Sequence, residues 1–259
     1  MDLGIKGKQA IVCASSKGLG RGCAEALAAA GVDLVINARG REALEETARD
    51  LRSRYAVTVK TAAVDVTTEA GREALIAHCP SPDILVTNAG GPPPGLWSDW
   101  DRDDFIAALD ANMLTPIDLM KRLLPGMMQR KWGRVVNITS VSVRAPIGPL
   151  GLSNTARNGL TGYVAGVSRQ VASTNVCINN LLPGIHDTDR ATALDTHGAN
   201  EAGRSVSVVR KDREASIPAG RYGTAAEFGS VCAFLCSQHV GFLIGQNILL
   251  DGGAANLTI

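Results

Sequence analysis

Short aliphatic runs alternate with longer segments of helical period along the chain. This alternation is typical of strand–helix–strand units, which build a parallel sheet. The aliphatic runs predict seven strands, at residues 9–13, 33–37, 57–63, 83–87, 134–139, 175–182 and 246–249. No repeat or linker interrupts them. The pattern therefore predicts one α/β domain over residues 1–259, a doubly wound seven-stranded parallel sheet with helices on both faces.

The two longest helical patterns cover residues 103–129 and 153–171. In the second, apolar residues such as Leu160 and Val164 recur at helical steps, so that face is expected to pack on the sheet. Residues 189–216 are polar, charged and rich in small side chains. They predict a mobile insertion over the carboxyl ends of the strands, where sheets of this kind bind ligands.

The charges nearly cancel, since 26 Lys and Arg face 25 Asp and Glu for a formal charge of +1. The chain lacks the basic excess that binding to a phosphate backbone uses, so nucleic acid is not an expected partner. Residues 1–8 carry no apolar signal segment, and no later stretch reaches the roughly 18 apolar residues of a membrane span. We therefore expect a cytoplasmic protein with no membrane partner.

No spacing of cysteine or histidine suggests a metal site. The six cysteines are Cys13, Cys23, Cys79, Cys177, Cys232 and Cys236, and none forms a C-x-x-C pair. Without a secretory context they are expected to be buried thiols that pack like small apolar residues. The expected metal content is none.

A glycine-rich turn follows the first strand and precedes a helix. It reads Ser15-Ser16-Lys17-Gly18-Leu19-Gly20. Glycines at such a turn let the backbone approach a pyrophosphate, and the helix N-terminus offers free N–H groups. The alternative is a turn that only packs a helix on a strand.

Arg39 follows the second strand, where a protein that binds the ribose 2′-hydroxyl carries Asp or Glu. Arg39 and Lys17 can instead hold a 2′-phosphate, which favours NADP over NAD. The alternative is two solvated surface charges. Asp65 and Val66 end the third predicted strand, and Asn88 begins the turn after the fourth. A nucleotide is expected along these strand ends, although turn residues need no function.

Taken together with Asn112, Asn137-Ile138-Thr139-Ser140, the segment 183–188 and the tail 245–253, these motifs resemble the short-chain dehydrogenase/reductase family. The similarity is to its 3-oxoacyl-(acyl carrier protein) reductase-like branch and covers nearly the whole chain. It implies a single-domain Rossmann fold, bound NADP and a homotetramer. The cofactor-binding residues it implies are Ser15, Ser16, Lys17, Gly18, Leu19, Gly20, Arg39, Asp65, Val66, Asn88, Ala89, Gly90, Arg157, Pro183, Gly184, Ile185 and Thr188.

Two departures from the family pattern affect the site. Cys13 and Ala14 stand at the first two places of the family's T-G-x-x-x-G-x-G. Alanine is tolerated in this turn provided that its φ is negative, so cofactor binding is expected to survive.

The second departure concerns the family's catalytic Asn, Ser, Tyr and Lys. Asn112 and Ser140 are present, but Ser153 and Arg157 stand where the Tyr and Lys belong. An alkyl hydroxyl is a far weaker acid than a phenol. Arg157 can hold a ribose but cannot relay a proton as Lys does. The segment also resembles an atypical subset of the family that carries Ser and Arg at these places.

Substitutes for the missing acid are few. Tyr163 is placed by helix geometry on another side of its helix from Arg157. His186 is the nearby group that titrates near neutrality, and the alternative is a solvent-facing loop histidine. The loop 91–100 borders the pocket, where Trp97 either forms an apolar wall or packs into the body.

Three functions remain open. The first is hydride transfer between NADP and a carbonyl or alcohol carbon of a small-molecule substrate. The second is an NADP-binding protein without turnover, with a sensor or structural role. The third is lyase chemistry, since halohydrin dehalogenases share the fold and carry Ser, Tyr and Arg. Those enzymes lose the cofactor turn, which this chain retains at Lys17-Gly18-Leu19-Gly20.

Overall fold

A computed structural model describes residues 1–258 and contains one parallel sheet of seven strands. The strands are β1 (Gln9–Val12), β2 (Asp33–Ala38), β3 (Val59–Ala63), β4 (Ile84–Thr87), β5 (Gly133–Ile138), β6 (Val176–Pro183) and β7 (Asn247–Leu250). Their order in the sheet is β3-β2-β1-β4-β5-β6-β7. The direction of winding reverses between β1 and β4, where sheets of this kind open a ligand crevice at the carboxyl ends. The predicted doubly wound sheet is confirmed.

Nine α-helices lie within the described residues. They are α1 (Gly18–Ala29), α2 (Arg41–Arg54), α3 (Glu69–His78), α4 (Arg102–Leu109), α5 (Thr115–Gln129), α6 (Gly151–Val171), α7 (Asp189–Ala202), α8 (Val206–Ser216) and α9 (Ala225–Leu235).

The helices cover both faces of the sheet because the strand side chains alternate between two cores. On β1, Ala10 and Val12 pack in the core with residues of α1, α2 and α9. Ile11, between them, packs in the second core with residues of α3, α5 and α6. Both faces of the strands are therefore dry, which explains their nearly continuous aliphatic sequences.

The predicted helix at 103–129 is divided. A π-helical segment, Asp110–Leu114, joins α4 to α5, and Asn112 lies within it. The insertion of one π turn into an α-helix is rare and often marks a functional position. The hydrophobic period remains nearly unbroken across this segment, which is why the sequence predicted one continuous helix.

The predicted insertion at 189–216 consists of α7 and α8. The Asp195 carboxylate is buried and joins these helices to the following loop. It accepts hydrogen bonds from Arg213 Nη1 at 2.7 Å and from the Tyr222 hydroxyl at 2.9 Å. The insertion thus has its own small packed centre, and its mobility stays a prediction.

Four polar side chains cross the sheet in register. The Thr87 hydroxyl donates to Asn137 Oδ1 at 2.7 Å, and Asn137 Nδ2 donates to Asn180 Oδ1 at 3.2 Å. Asn180 Nδ2 then donates to Asn247 Oδ1 at 2.8 Å. Buried amides without partners are costly, so this row favours the observed register of β4 to β7. In β4 and β5 the members of this row, Thr87 and Asn137, lie at the carboxyl ends of the strands, on the side of the candidate site.

A buried arginine holds the opposite end of β5. Arg134 is 1% exposed and donates from Nε to the Ser237 carbonyl at 3.0 Å. Its Nη1 donates to the Gly133 and Asn175 carbonyls at 2.8 and 2.9 Å, and Nη2 lies 3.4 Å from Asn175 Oδ1. The guanidinium also lies 4.7 Å from the centre of the Trp132 ring. Every nitrogen of the Arg134 side chain therefore has a hydrogen-bond partner.

Within residues 1–258 no helix is long and apolar enough to cross a membrane. The same residues contain no cluster of three His, Cys, Asp or Glu side chains that could hold a metal ion. All six cysteines are buried free thiols, as the sequence predicted.

Candidate functional site

The glycine-rich turn presents the uncapped N-terminus of α1. No side chain caps this helix at Lys17, so its first N–H groups are free for a ligand. A Cβ on Gly20 would collide with the Ala14 carbonyl, so only glycine fits there. Asn88 Nδ2 donates to the same carbonyl at 3.3 Å. The turn and the end of β4 are thus joined, as the predicted nucleotide path requires.

Ala14 does not satisfy the condition under which it was expected to be harmless. Its φ is +46°, in the left-handed region that costs an L-residue about 1–2 kcal/mol. The neighbouring backbone imposes this conformation. Cys13 N–H donates to the Val86 carbonyl at 2.9 Å, and Ser15 N–H donates to the Asn37 carbonyl at 2.8 Å. The turn keeps its shape and stores strain.

Ser15, predicted as a cofactor residue, has a fully buried side chain. Its hydroxyl donates to the Val12 carbonyl at 2.8 Å and accepts from the Asn37 N–H at 3.1 Å. The Ser15 side chain therefore holds the turn against β2 and does not face the crevice. Leu19 packs its side chain against the core, which leaves only its backbone for a ligand. The Ser16 carbonyl accepts from the Thr47 hydroxyl at 2.9 Å.

Lys17 and Arg39 differ in their freedom to hold a phosphate. Lys17 Nζ lies 2.7 Å from Asp189 Oδ2, and both side chains are exposed. Arg39 is exposed and forms no ion pair within residues 1–258. The clamp of two cations predicted from the sequence is therefore one free arginine and one lysine paired with the start of α7.

Asp65 lies at the same edge as Arg39. Its Oδ1 accepts from the Thr67 N–H and hydroxyl at 3.0 and 2.8 Å. These bonds, followed by the charge of Arg39, hold the pKa of Asp65 below its usual value. The other carboxylate oxygen has no partner among the described residues, so it remains available to an amino group. Val66 packs its side chain on the core beside it.

The segment after β6 meets the glycine-rich turn across the crevice. Thr188 caps α7 by accepting from the Ala191 N–H at 3.4 Å. Its methyl group would lie 3.6 Å from a Cβ placed on Gly18. Gly184 permits close packing of Pro183–Ile185 on Asp251, since a Cβ there would lie 2.5 Å from the Asp251 Cβ. Thr188 therefore borders the same crevice as the turn, while Gly184 packs on the segment after β7. Ala89 and Gly90 follow Asn88 directly after β4.

Ser153 and Arg157 form a bonded pair on α6. They are 6% and 7% exposed, and Arg157 Nε donates to Ser153 Oγ at 3.2 Å. Arg157 Nη1 donates to the carbonyl of Ile138, the last residue of β5, at 2.8 Å. Burial, and then repulsion from Arg190, lower the pKa of Arg157 to about 10. The guanidinium is therefore a cation at neutral pH.

Asn112 and Ser140 complete the predicted set. The π-helical segment packs on α6 through Met113, which contacts Gly159. Asn112 is buried and donates from Nδ2 to the Ala108 carbonyl at 3.3 Å, while its Oδ1 has no partner in the described chain. Ser140 caps a short helical turn by accepting from the Ser142 N–H at 3.1 Å. Ser140 follows β5 two residues after the carbonyl that Arg157 holds.

His186 does not face solvent and is poorly suited to donate a proton in the crevice. It is 5% exposed, and its ring packs edge-on against Phe228 with 5.2 Å between the ring centres. Its Nδ1 lies 3.2 Å from the Gly184 carbonyl, and burial lowers its pKa. It is a neutral packed side chain at pH 7. Tyr163 packs against the core on the α5–α6 face, which agrees with its predicted position away from Arg157.

The loop 91–100 borders the crevice, but Trp97 is 88% exposed and does not pack into the body. Trp100 occupies the packed position, in edge contact with Phe105 at 6.4 Å between ring centres. Gly95 N–H donates to the Pro149 carbonyl at 2.9 Å, which joins this loop to the segment before α6.

One residue near the crevice was missed by the sequence analysis. Arg190 Nη2 reaches from α7 to the Pro92 carbonyl at 2.8 Å. The only signal in the sequence was its position two residues after Thr188.

A sequence profile described as enoyl-(acyl carrier protein) reductase matches residues 13–255. The chain belongs to the short-chain dehydrogenase/reductase family. It is similar to the 3-oxoacyl-[acyl-carrier-protein] reductase of Vibrio harveyi, with 31% identity over 97% of this chain and 98% of the relative.

Solved structures of this family superpose closely on the chain. An L-sorbose reductase from Gluconobacter frateurii, complexed with NADPH and L-sorbose, has a TM-score of 0.93 and 26% identity, and the match covers 99% of this chain and 100% of that one. A 3-oxoacyl (acyl-carrier-protein) reductase from Agrobacterium tumefaciens C58 with NADP bound has a TM-score of 0.87 and 26% identity, over 97% and 95% of the two chains. These proteins are reductases, and the fold is shared over at least 95% of each solved chain.

Proposed function

We propose that this family member is an NADP-dependent oxidoreductase for a small carbonyl or alcohol substrate. The observation that carries the proposal is the intact cofactor crevice: the uncapped N-terminus of α1, the close approach enforced at Gly20, and an unpaired Arg39 beside Asp65. The NADPH- and NADP-bound relatives support it. When bound, the nicotinamide supplies or accepts a hydride at its C4.

Arg39 is the residue that selects NADP over NAD. A carboxylate at this position would repel a 2′-phosphate, whereas an exposed guanidinium that forms no ion pair can form charge-assisted hydrogen bonds to it. Lys17 can join Arg39 only after it leaves Asp189, because its Nζ is held there at 2.7 Å.

The helices α7 and α8 form a movable cover in this proposal. Two contacts hold the start of α7 across the crevice: Lys17 with Asp189, and Arg190 with the Pro92 carbonyl. Both involve exposed side chains, so each contributes little to stability. Hydrogen exchange of residues 189–216 should slow when NADPH binds. Equal exchange with and without NADPH would argue for a fixed cover.

Ser140, Ser153 and Arg157 hold the substrate oxygen in this proposal, and Asn112 supports them. The hydroxyls of Ser140 and Ser153 donate hydrogen bonds to it, and the Arg157 charge stabilises negative charge that develops there. None of these groups has a pKa near neutrality with which to deliver a proton. The site is therefore built to bind and polarise, with proton delivery as its weak step.

That weakness favours a second function, an NADP-binding protein without turnover that acts as a sensor or structural subunit. The specific observation is His186, whose burial against Phe228 and lowered pKa remove the nearest replacement acid. The lyase alternative has less support because the cofactor turn is retained.

A titration with NADPH and NADH, followed by a panel of ketones and aldehydes, separates these functions. The first predicts tight NADPH binding and loss of NADPH absorbance with some carbonyl compounds. Tight NADPH binding with no oxidation on any compound would favour the second, and no NADPH binding would refute both.

We further propose a homotetramer. The family resemblance supports this proposal, and the apolar side chains of Ile106, Leu114 and Phe242, which are 45%, 49% and 103% exposed, are available for contacts between subunits. Light scattering is expected to give four times the 27.0 kDa chain mass. The monomer mass at micromolar concentration would refute this.

A further inference from the structure

The crevice holds a buried cation whose hydrogen-bonding capacity is incompletely used. Arg157 is 7% exposed, and its Nε and Nη1 are bonded to Ser153 Oγ and the Ile138 carbonyl. Its Nη2 has no hydrogen-bond partner within residues 1–258, and no carboxylate of those residues lies within 4 Å. A buried charge normally has a paired or fully bonded environment. Arg157 has neither.

A second guanidinium reaches the same neighbourhood from α7. Arg190 contacts the loop after β4, with Nη2 at 2.8 Å from the Pro92 carbonyl and 3.6 Å from a Cβ placed on Gly91. The ends of β4 and β5 are adjacent, since Thr87 pairs with Asn137. Arg190 therefore contacts the loop that follows β4, and Arg157 contacts the last residue of the neighbouring strand β5. Their charges are close enough for Arg190 to lower the pKa of Arg157.

Arg190 also lacks an acidic partner in the described chain, and its Nε and Nη1 form no hydrogen bond there. Most other arginines near α7 and α8 are paired: Arg204 with Asp212, Arg210 with Asp187 and Glu214, and Arg213 with Asp195. Two cations that repel each other and retain free N–H donors form a receptor for an anion.

The geometry points to a carboxylate of the substrate as that anion: we propose that Arg157 and Arg190 bind it together, so that the substrate class is carbonyl compounds that carry a carboxylate. The assignment rests on the proposed function. A carboxylate fits because its two oxygens can each accept from a different guanidinium, and because its charge removes the repulsion between them. The phosphates of the cofactor are the other source of a negative charge, and the experiment distinguishes them.

The test measures binding, so it does not depend on turnover. The full chain, saturated with NADP⁺, is titrated by calorimetry with propanoate, butanoate and 3-phenylpropanoate, and with the corresponding primary amides. The amides have the same shape without the charge. Each carboxylate is expected to bind at least about 10-fold more tightly than its amide, the lower end of the effect of a charge-assisted hydrogen bond.

Three variants sharpen the test. Arg190→Met should reduce the preference for carboxylate below about 3-fold and leave the NADPH dissociation constant within about 3-fold of its original value. Arg190→Lys, which keeps the charge, should retain part of the preference. Arg49→Met removes the same charge from an exposed position on α2 and should leave the preference unchanged.

Two results would overturn the inference. One is the absence of any preference for carboxylates in the unmodified chain, or a preference that survives in Arg190→Met. The other is an Arg190→Met variant that loses NADPH affinity by more than about 10-fold with the carboxylate preference unchanged, since that would assign Arg190 to a cofactor phosphate. Failure of the carbonyl panel would refute the oxidoreductase proposal while leaving this binding result intact.

Discussion

Two buried arginines lie at opposite ends of β5, and they differ in how fully protein hydrogen bonds replace the hydration of the guanidinium. Arg134, at the amino end, engages all three nitrogens with Ser237, Gly133 and Asn175. Arg157, at the carboxyl end, bonds to Ser153 and Ile138 and leaves Nη2 unused. Neither has a carboxylate partner in the described chain.

The difference indicates what each arginine does. The nitrogens of Arg134 bond to protein oxygens in place of water, and none is left for a ligand. Its bond to the Ser237 carbonyl connects β5 to the segment after α9. Arg157 has exchanged only part of its hydration, and burial and Arg190 lower its pKa to about 10. An incompletely satisfied buried charge is costly in the free protein and is relieved when a ligand binds. The same residue type is therefore structural at one end of the strand and a candidate binding group at the other.

The largest expected effect is a difference in the free energy of unfolding between variants of the two arginines. Arg134→Met should lower the free energy of unfolding by about 4–5 kcal/mol, because several buried acceptors lose their donor at about 1–3 kcal/mol each. The melting temperature should fall by roughly 10 °C. Arg157→Met should cost less than about 2 kcal/mol, since it also removes an unpaired buried charge. Urea denaturation of both variants measures the difference.

Equal destabilisation by the two substitutions would contradict the comparison. Arg157→Met should instead abolish the preference for carboxylates, which Arg134→Met should retain wherever the variant is folded.

The next effect concerns catalysis at the carboxyl end. The double change Ser153→Tyr with Arg157→Lys should raise turnover on simple carbonyls by about 10²- to 10⁴-fold, the usual contribution of a positioned acid with a matched pKa. Each single change should do less, because the phenol needs the ammonium to reach a useful pKa. The measurement is NADPH oxidation at saturating cofactor.

A double variant that folds and binds NADPH but is no faster than the parent would show that proton supply is not the defect. The second function, cofactor binding without turnover, would then be preferred.

A smaller effect is expected from the third arginine of this comparison, the exposed Arg39. Arg39→Asp should shift the NADPH/NADH preference by about 10- to 100-fold towards NADH, the equivalent of about 1.5–3 kcal/mol for a charge-assisted bond. Stability should change little, because Arg39 forms no ion pair in residues 1–258. Arg49→Asp, with the same charge change on α2, is the control. Fluorescence titration with NADPH and NADH measures the ratio of the two dissociation constants. An unchanged ratio in Arg39→Asp would show that Arg39 does not select the cofactor.

The fold was predictable because the alternation of aliphatic runs and helical segments reflects strands buried on both faces. The strand ends that gather around the crevice followed from the same parallel topology. The π-helical turn around Asn112 was not predictable, since it leaves the hydrophobic period nearly intact. The burial of His186 was not predictable, because Gly223 and Phe228, which enclose it, are distant in sequence.

The side-chain contacts across the crevice also could not be predicted from the sequence. Lys17 is paired with Asp189, and Arg190 is bonded to the Pro92 carbonyl. Each contact joins segments far apart in the chain, and no local spacing encodes it. The residue types on each segment were visible, but the distance between the segments is set by the packing of α7.

The smallest expected effect tests whether strain is stored in the cofactor turn. Ala14 has a φ of +46°, and Lys131, at the amino end of the sheet, has a φ of +53°. Glycine relieves about 1–2 kcal/mol of strain in this region and loses about 0.5–1 kcal/mol through its greater freedom in the unfolded chain. Ala14→Gly and Lys131→Gly should therefore each raise the free energy of unfolding by roughly 0.5–1 kcal/mol.

The two substitutions should differ in their effect on the cofactor. Ala14→Gly retains the backbone carbonyl at position 14 that accepts from Asn88 Nδ2 at 3.3 Å. The glycine makes the turn more flexible, however, and the turn must become ordered when NADPH binds. We expect its dissociation constant for NADPH to rise by about 2-fold, a cost of about 0.4 kcal/mol, while Lys131→Gly leaves it unchanged. A gain in stability at Lys131 with none at Ala14 would mean that the turn is not strained, and that the amino and carboxyl ends of the sheet differ in this respect.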